Sequence, residues 1–255
     1  NLGVAGAGIA TILSQLLSGI LCIFFIIKKV PLLWLKKTDF RMHYEVITSH
    51  LSIALPMAFQ MSIIAIGSLM LQFALNGLGA ASVAAYTASQ KIESIATMPL
   101  GSFGTAMATY TAQNYGAGKI SRIRKGVFQC ILMSGSFSIL SGAINVIAGS
   151  QLTSIFVGAQ ETEVLSLSHT YLVISGCFYF ALALLFIYRF TLQGLGKSFI
   201  PTVAGVMELI MRAIGALVLT DAFGFAGACA SNPLAWVGAC IPLAFSYYRT
   251  MKKLD

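Results

Sequence analysis

Seven apolar stretches, at 3–27, 51–75, 80–112, 126–148, 167–192, 198–220 and 225–247, are each long enough to cross a bilayer as a helix, which takes roughly 20 residues. Inside hydrocarbon no water answers the backbone N–H and C=O groups, so only helices and closed barrels can span it. A barrel would alternate polar and apolar residues in strands of about ten. Runs such as ALNGLGAASVAAY and LAWVGACIPLAFSYY do not alternate. The expected fold is an all-α, multi-pass membrane protein with about seven transmembrane helices. With 57% hydrophobic and 9% charged residues in 255, a water-soluble domain (about 25% charged) and a disordered chain are both excluded.

The connections alternate in charge. One set holds Lys28, Lys29, Lys36, Lys37 and Arg41, then Lys119, Arg122, Arg124 and Lys125, then Lys197, then Arg249, Lys252 and Lys253. The other set, at 76–79, 149–168 and 220–225, has no Lys or Arg and carries Glu161, Glu163 and Asp221. Positive-inside bias places the first set, and the C-terminus, in the cytoplasm of a bacterial-type plasma membrane. The long connection 28–50 mixes Trp34, Phe40 and Tyr44 with basic residues. It suits an amphipathic segment on the anionic inner leaflet, or equally a solvated linker. The first residues lack a charged n-region and a cleavage site, so no signal peptide is expected there.

The first and last spans open alike, as Gly3-Val4-Ala5-Gly6-Ala7 and Gly224-Phe225-Ala226-Gly227-Ala228. Small residues at this spacing serve close helix contact on their own. Their matching orientation also fits equivalent last helices of two parallel repeats. On that reading 1–27 is the last helix of one lobe, 28–50 the connection, 51–248 a complete six-helix lobe and 249–255 a tail.

The segment VAAYTASQKIESIATMPLGSFGTAMATYTAQNYGAGKISRIRKG (Val83–Gly126), with LPMAFQ (Leu55–Gln60) before it and LQGLGKS (Leu192–Ser198) after, resembles the multidrug and toxin extrusion (MATE) family. The resemblance covers essentially the whole chain as the C-terminal half. It implies an antiporter of twelve helices that exports organic, often cationic, compounds or drugs in exchange for Na⁺ or H⁺. The implied partners are the bilayer, the substrate and the N-terminal six-helix lobe; no cofactor beyond the coupling ion and no nucleic acid is expected. Some subfamilies carry acidic coupling residues in the first and fourth helices of this half. Here 51–75 and 167–192 contain no Asp or Glu, which leaves open a coupling carboxylate in the absent lobe, where other relatives place it. The alternative is a lipid or lipid-linked oligosaccharide flippase, whose cavity would need more basic residues than Lys91, Arg189 and Arg212.

Charges at bilayer depth cost at least about 2.5–3.5 kcal/mol each and are functional candidates by default. Glu208 lies near the middle of its span, with Arg212 one turn on, in the favourable order for an ion pair on one helix face. That pair is either a site for a proton or cationic substrate or a self-neutralised packing device. Lys91 and Glu93, two apart on the third span, point away from each other and need separate partners. They stand on the cavity wall with Tyr86 and Gln90, or they snorkel or bridge structurally to another helix. Arg189 is expected to snorkel to the cytoplasmic surface. The third span is too long for the hydrocarbon and is expected to protrude or to bend at Pro99, which removes a helical hydrogen bond. Gln60, Gln72, Asn76, Tyr179 and Tyr188 complete the uncharged cavity candidates, though most Tyr and Met at helical spacing are packing.

Other chemistries fail. Tyr115–Ile120 lacks the glycine and hydroxyl that a phosphate-binding loop requires. Ser102 and His169 do not sit in a rhomboid-type protease motif, so no catalytic residue is assigned and no enzyme is expected. Cys22, Cys130, Cys177, Cys229 and Cys240 show no metal-binding or disulfide spacing and are expected to behave as small core hydrophobes. No metal site is expected.

Overall fold

The computed structural model describes residues 3–31, 34, 41, 43–158 and 160–254, without the side chains of residues 3, 4 and 7. Parts of the 28–50 connection, including Lys36, Lys37 and Phe40, lie outside the described residues. All regular elements among the described residues are helical: α1 (Gly3–Lys29), α2 (Tyr44–Gly77), α3 (Ala80–Gly116), α4 (Ile120–Val157), α5 (Thr162–Gly176), α6 (Tyr179–Gly194), α7 (Phe199–Ile214), α8 (Thr220–Phe223) and α9 (Phe225–Lys253). A π-helical turn, Gly215–Leu219, joins α7 to α8. Two compact units contain them, Asn1–Ser49 and His50–Asp255.

Helices α1, α2, α4 and α9, and the α7–α8 rod, are each long and apolar enough to cross a membrane, and the bent pair α5–α6 makes a further span. Helix α3 is more polar, carrying Lys91 and Glu93 together with many Ser, Thr and Gln residues. With α3 the rods number seven among the described residues, as expected. Helix α1 is exposed around its circumference. In the bundle, Phe73, Met98, Ile147, Ile155 and Phe199 are also outward-facing and at least 70% exposed. Apolar surface of this extent is stable in lipid and not in water.

Four details correct the sequence reading. Helices α2, α4 and α9 outrun their apolar stretches, so residues 44–50 of the expected connection and most of the 249–255 tail are helical. Hydropathy locates hydrocarbon, whereas hydrogen bonding carries a helix beyond it. Helix α3 is unbroken at Pro99; 37 residues at 1.5 Å each give about 55 Å, so it protrudes. The break falls instead in the expected 167–192 span, where α5 and α6 meet at 49°. Cys229 is buried, but Cys22 and Cys177 are exposed and Cys130 and Cys240 half-buried, all as free thiols; an apolar setting in lipid need not be a core.

One end of the bundle gathers its basic residues. Arg124 Nη2 of α4 donates to the Met251 carbonyl of α9 (2.8 Å). Lys197 Nζ reaches Thr250 Oγ1 (3.1 Å), and Ser198 Oγ donates to the Ser52 carbonyl (3.2 Å). Pro56 cannot supply the helical N–H for Ser52, so Ser198 takes that role. Toward the opposite end, Ser89 Oγ donates to the Ser168 carbonyl (3.3 Å) and Ser168 Oγ to the Ala85 carbonyl (3.2 Å), clamping α3 to α5. Two apolar cores follow this division. One, around Leu100, Tyr188, Leu192 and Trp236, lies toward the basic end; the other, around Leu71, Tyr86, Tyr171 and Ala228, lies toward the opposite end.

Without a hydrophobic force between helices in lipid, close approach through small residues drives packing. Helices α4 and α5 meet where a Cβ on Gly142 would stand 2.5 Å from the Gly176 carbonyl oxygen. Gly142→Ala must therefore push backbone from backbone. It should lower stability by about 1–3 kcal/mol, read as a lower unfolding temperature in detergent, whereas an alanine at Gly101, where a Cβ meets nothing within 4 Å, should leave that temperature unchanged.

Candidate functional site

The polar residues singled out from the sequence fall into separate places. Toward the end opposite the basic one, Glu93 of α3 is 8% exposed. The Tyr171 hydroxyl of α5 donates to its Oε2 at 2.5 Å, and Asn232 Nδ2 of α9 donates to the Tyr171 oxygen at 3.2 Å. Glu93 Oε1, also buried, has no hydrogen-bond partner among the described residues. Tyr86, one of the sequence candidates, packs edge-on against Tyr171 with ring centroids 5.3 Å apart. Its hydroxyl accepts from Gln90 Nε2 at 2.6 Å. Glu93, Tyr86 and Gln90 thus belong to one neighbourhood. It is completed by Tyr171 and Asn232, which the sequence did not single out; nothing in their local spacing ties them to Glu93. Lys91 points elsewhere, as expected from its position two residues away, with Nζ 5.6 Å from the Phe156 ring centroid.

A second group lies on α7, whose buried residues Pro201, Ala204, Gly205, Glu208 and Arg212 form one stripe. The expected Glu208–Arg212 pair does not form. Glu208 forms its ion pair with Arg189 of α6, and both side chains are more than 90% buried. Arg189 therefore does not snorkel; it lies inside, 6% exposed. Arg212 Nη1 instead donates to the Ile64 carbonyl (3.2 Å) and to Ser68 Oγ (3.4 Å) of α2. Gly67 leaves room for it, since a Cβ there would be 3.2 Å from the guanidinium. The stripe faces α6 on one side and α2 on the other, so two residues one turn apart find partners on different helices. Spacing within a helix cannot reveal that.

Along the same seam Thr202 Oγ1 donates to the Pro56 carbonyl (2.9 Å). Gln60, 1% exposed, abuts Gly205 and accepts from Gln193 Nε2 at 3.4 Å. Contacts advance together in number along α2 and α7, so the two helices run parallel. The remaining candidates are outliers. Asn76 is exposed at the end of α2, accepting from Gln72 Nε2 (3.1 Å). Tyr179 is buried and accepts from Asn145 Nδ2 (2.8 Å). Tyr188 stacks with Tyr247 at the basic end, 5.2 Å between centroids, and joins no cavity with Glu93.

The chemistry open to these groups differs. Glu208 is neutralised by a fixed partner and can do little but hold α6 to α7. Glu93 is a buried acid hydrogen-bonded to a neutral hydroxyl and within the electrostatic reach of the Arg212 guanidinium, with which it forms no ion pair; it is able to exchange a proton or to accept a cation. Removing one partner of a buried pair strands the other charge, typically at about 3–5 kcal/mol. Glu208→Leu should therefore lower the unfolding temperature strongly, and adding Arg189→Met should restore most of it. Equal destabilisation by the single and double changes would show that the pair is not what the fold requires.

The family model described as MatE matches residues 56–218, which contain Gln60, Glu93, Tyr171, Arg189, Glu208 and Arg212. Among curated proteins the chain is 26% identical over 216 residues to "Probable multidrug resistance protein YoeA" of Bacillus subtilis (strain 168), covering 82% of this chain and 45% of that protein. It is 30% identical over 127 residues to "Probable multidrug resistance protein YpnP" of the same organism, covering 48% of this chain and 27% of that protein. The chain thus spans less than half the length of these curated relatives. Among solved structures, an outward-facing multidrug resistance MATE family transporter of the MOP superfamily superposes with a TM-score of 0.92 at 17% identity, over 100% of this chain and 58% of that one. A MOP superfamily transporter from Pyrococcus furiosus gives 0.90 at 17% identity, over 100% and 57%. At these identities the structural likeness speaks for the fold. The family match over most of the chain, joined to an all-helical multi-pass bundle, decides the assignment: the chain belongs to the MatE family.

Proposed function

We propose that this chain is the C-terminal lobe of a secondary active antiporter, which exports organic, often cationic, compounds or drugs in exchange for inward Na⁺ or H⁺. The absent partner is an N-terminal six-helix lobe, and the two rock about a shared cleft to expose it alternately to each side. The basic end of the bundle faces the cytoplasm of a bacterial-type plasma membrane, with the C-terminus inside, by the positive-inside bias. The observation that carries the reading is the burial of Glu93 with Tyr171 and Asn232. An ionisable residue at membrane depth that is not neutralised by an ion pair is costly and is found where ions or protons pass.

The geometry supports a coupling role in this way. The oxygens on offer are the two of the Glu93 carboxylate, of which Oε1 has no hydrogen-bond partner among the described residues, and the Tyr171 hydroxyl, the ligand type that hard cations such as Na⁺ prefer. Asn232 presents its amide nitrogen and serves to orient Tyr171. A proton on Glu93 removes the buried charge and serves the same purpose. Either occupant stabilises the closed packing of α3 against α5 and α9, and its departure leaves a charge that favours a solvent-exposed arrangement. This couples occupancy to the access of the cleft. Glu208, engaged by Arg189, is a positioning residue in this scheme and does not exchange ions.

The test is export of a cationic dye from cells expressing the full-length protein, with membrane insertion measured in parallel. Glu93→Gln should cut gradient-driven export at least about tenfold, about 1.4 kcal/mol, while insertion stays near wild type. Tyr171→Phe should impair it less, because the carboxylate remains. Dissipating both ion gradients with ionophores should raise dye accumulation to the level of cells without the protein. Undiminished export by Glu93→Gln would remove Glu93 from the coupling path, and export insensitive to ionophores would end the antiport reading.

A further inference from the structure

At the basic end, α4, α6 and α9 enclose an open groove of about 490 Å³ that none of the transport residues above explains. Its wall is a cluster of three tyrosines, Tyr188, Tyr247 and Tyr248, with ring centroids 5.2 to 6.2 Å apart. The hydroxyls of Tyr188 and Tyr248 stand 3.4 Å apart. Arg124 and Lys252 also line the groove, and Arg124 is tethered through Nη2 to the Met251 carbonyl. Segments 113–125, 193–199 and 248–254 of this end are without Asp or Glu, while Asp255 follows directly in sequence.

Beyond Arg124 the groove becomes apolar. Val127, Phe128 and Ile131 line it from α4 at the spacing of one helix face. Ile131 stands about 10 Å further into the membrane than Arg124 at 1.5 Å per residue. Phe128 and Tyr248 are each 63% exposed, so the groove opens at the bundle surface. Cations and hydroxyl donors at the interface, followed by an apolar wall along the membrane normal, match an amphiphile with an anionic head. A soluble anion would leave the apolar wall unused, and a cationic substrate would be repelled by Arg124 and Lys252.

We propose that this groove is a binding site for an anionic phospholipid, its phosphate held by Arg124, Lys252 and the Tyr248 hydroxyl and one acyl chain lying along Val127, Phe128 and Ile131. Its assignment to the cytoplasmic leaflet rests on the orientation proposed above; the chemistry of the groove does not. Such a lipid ties the start of α4 to the end of α9 and is a fixed component, distinct from anything transported.

The test is native mass spectrometry of the purified protein, stripped of lipid in detergent and then given phosphatidylglycerol, phosphatidylcholine or inorganic phosphate. Phosphatidylglycerol should be retained in preference to phosphatidylcholine, and Lys252→Gln should lower its retention about fivefold, the worth of one interfacial cation. Arg124→Gln with Lys252→Gln should abolish the preference, and millimolar inorganic phosphate should not displace the lipid. Lys252 and Tyr248 are exposed, so Lys252→Gln and Tyr248→Phe keep the question open should the double variant fail to fold. Equal retention of the two lipids, or retention unchanged in Lys252→Gln and Tyr248→Phe, would overturn the proposal. Displacement by phosphate would overturn the lipid assignment in favour of a free anion. Protease access to a C-terminal tag, measured separately in cells, tests the orientation: access from outside would overturn the leaflet while leaving lipid retention to decide the groove.

Discussion

In hydrocarbon no water is at hand to answer a polar group, and this bundle is organised around supplying the answer from within. Backbone groups are met by helices. Where a helix cannot meet its own carbonyl, at Ser52 below Pro56, the hydroxyl of Ser198, just before α7, does so. Hydroxyls buried between helices bind carbonyls across the seam, as Ser89 and Ser168 do between α3 and α5. The most demanding groups, Arg189 and Glu208, neutralise each other between α6 and α7. Each answer fixes a helix pair, so the polar minority sets the packing that the apolar majority, in lipid, cannot.

The same constraint separates charges with fixed partners from the one proposed to couple transport. Glu208 and Arg212 of the α7 stripe have fixed partners, Arg189 of α6 for the one and Ile64 and Ser68 of α2 for the other. Glu93 has no cation bonded to it among the described residues; it has a tyrosine, with an asparagine behind that. A buried acid so placed is stable when it carries a proton or an ion and unstable without one. On the proposed reading, occupancy acts through this acid on the packing of α3, α5 and α9. Lys91, two residues away, faces a phenylalanine ring on another side of α3 and leaves the acid without that neutraliser.

Much of the fold was legible because lipid imposes simple rules. Length and apolarity located the seven rods, and the charge of the loops sorted their ends into the two groups that the hydrogen bonds bring together. The short list of buried charges was also legible, because such residues are rare. What spacing could not supply was partnership between helices. Glu208 and Arg212 satisfied the rule for an ion pair on one helix, yet their stripe faces two different neighbours. Tyr171 and Asn232 look like ordinary residues of apolar spans until α5 and α9 bring them to Glu93. Pro99 looked like a bend, whereas the chain turns at Gly176–Tyr179, where a glycine and the absence of a proline gave little warning.

Ion flux into vesicles reconstituted with the full-length protein, followed with pH- and Na⁺-sensitive dyes, shows whether Glu93 carries the coupling ion, whatever net charge the exchange moves. With cationic substrate trapped inside, inward gradients of H⁺ and of Na⁺ should each be applied to wild type and to Glu93→Gln. Wild type should show substrate-dependent flux of one of the two ions, and Glu93→Gln should lose it while substrate binding persists. Substrate-dependent flux of wild-type size in Glu93→Gln would contradict the proposed role of Glu93 and place the coupling carboxylate elsewhere.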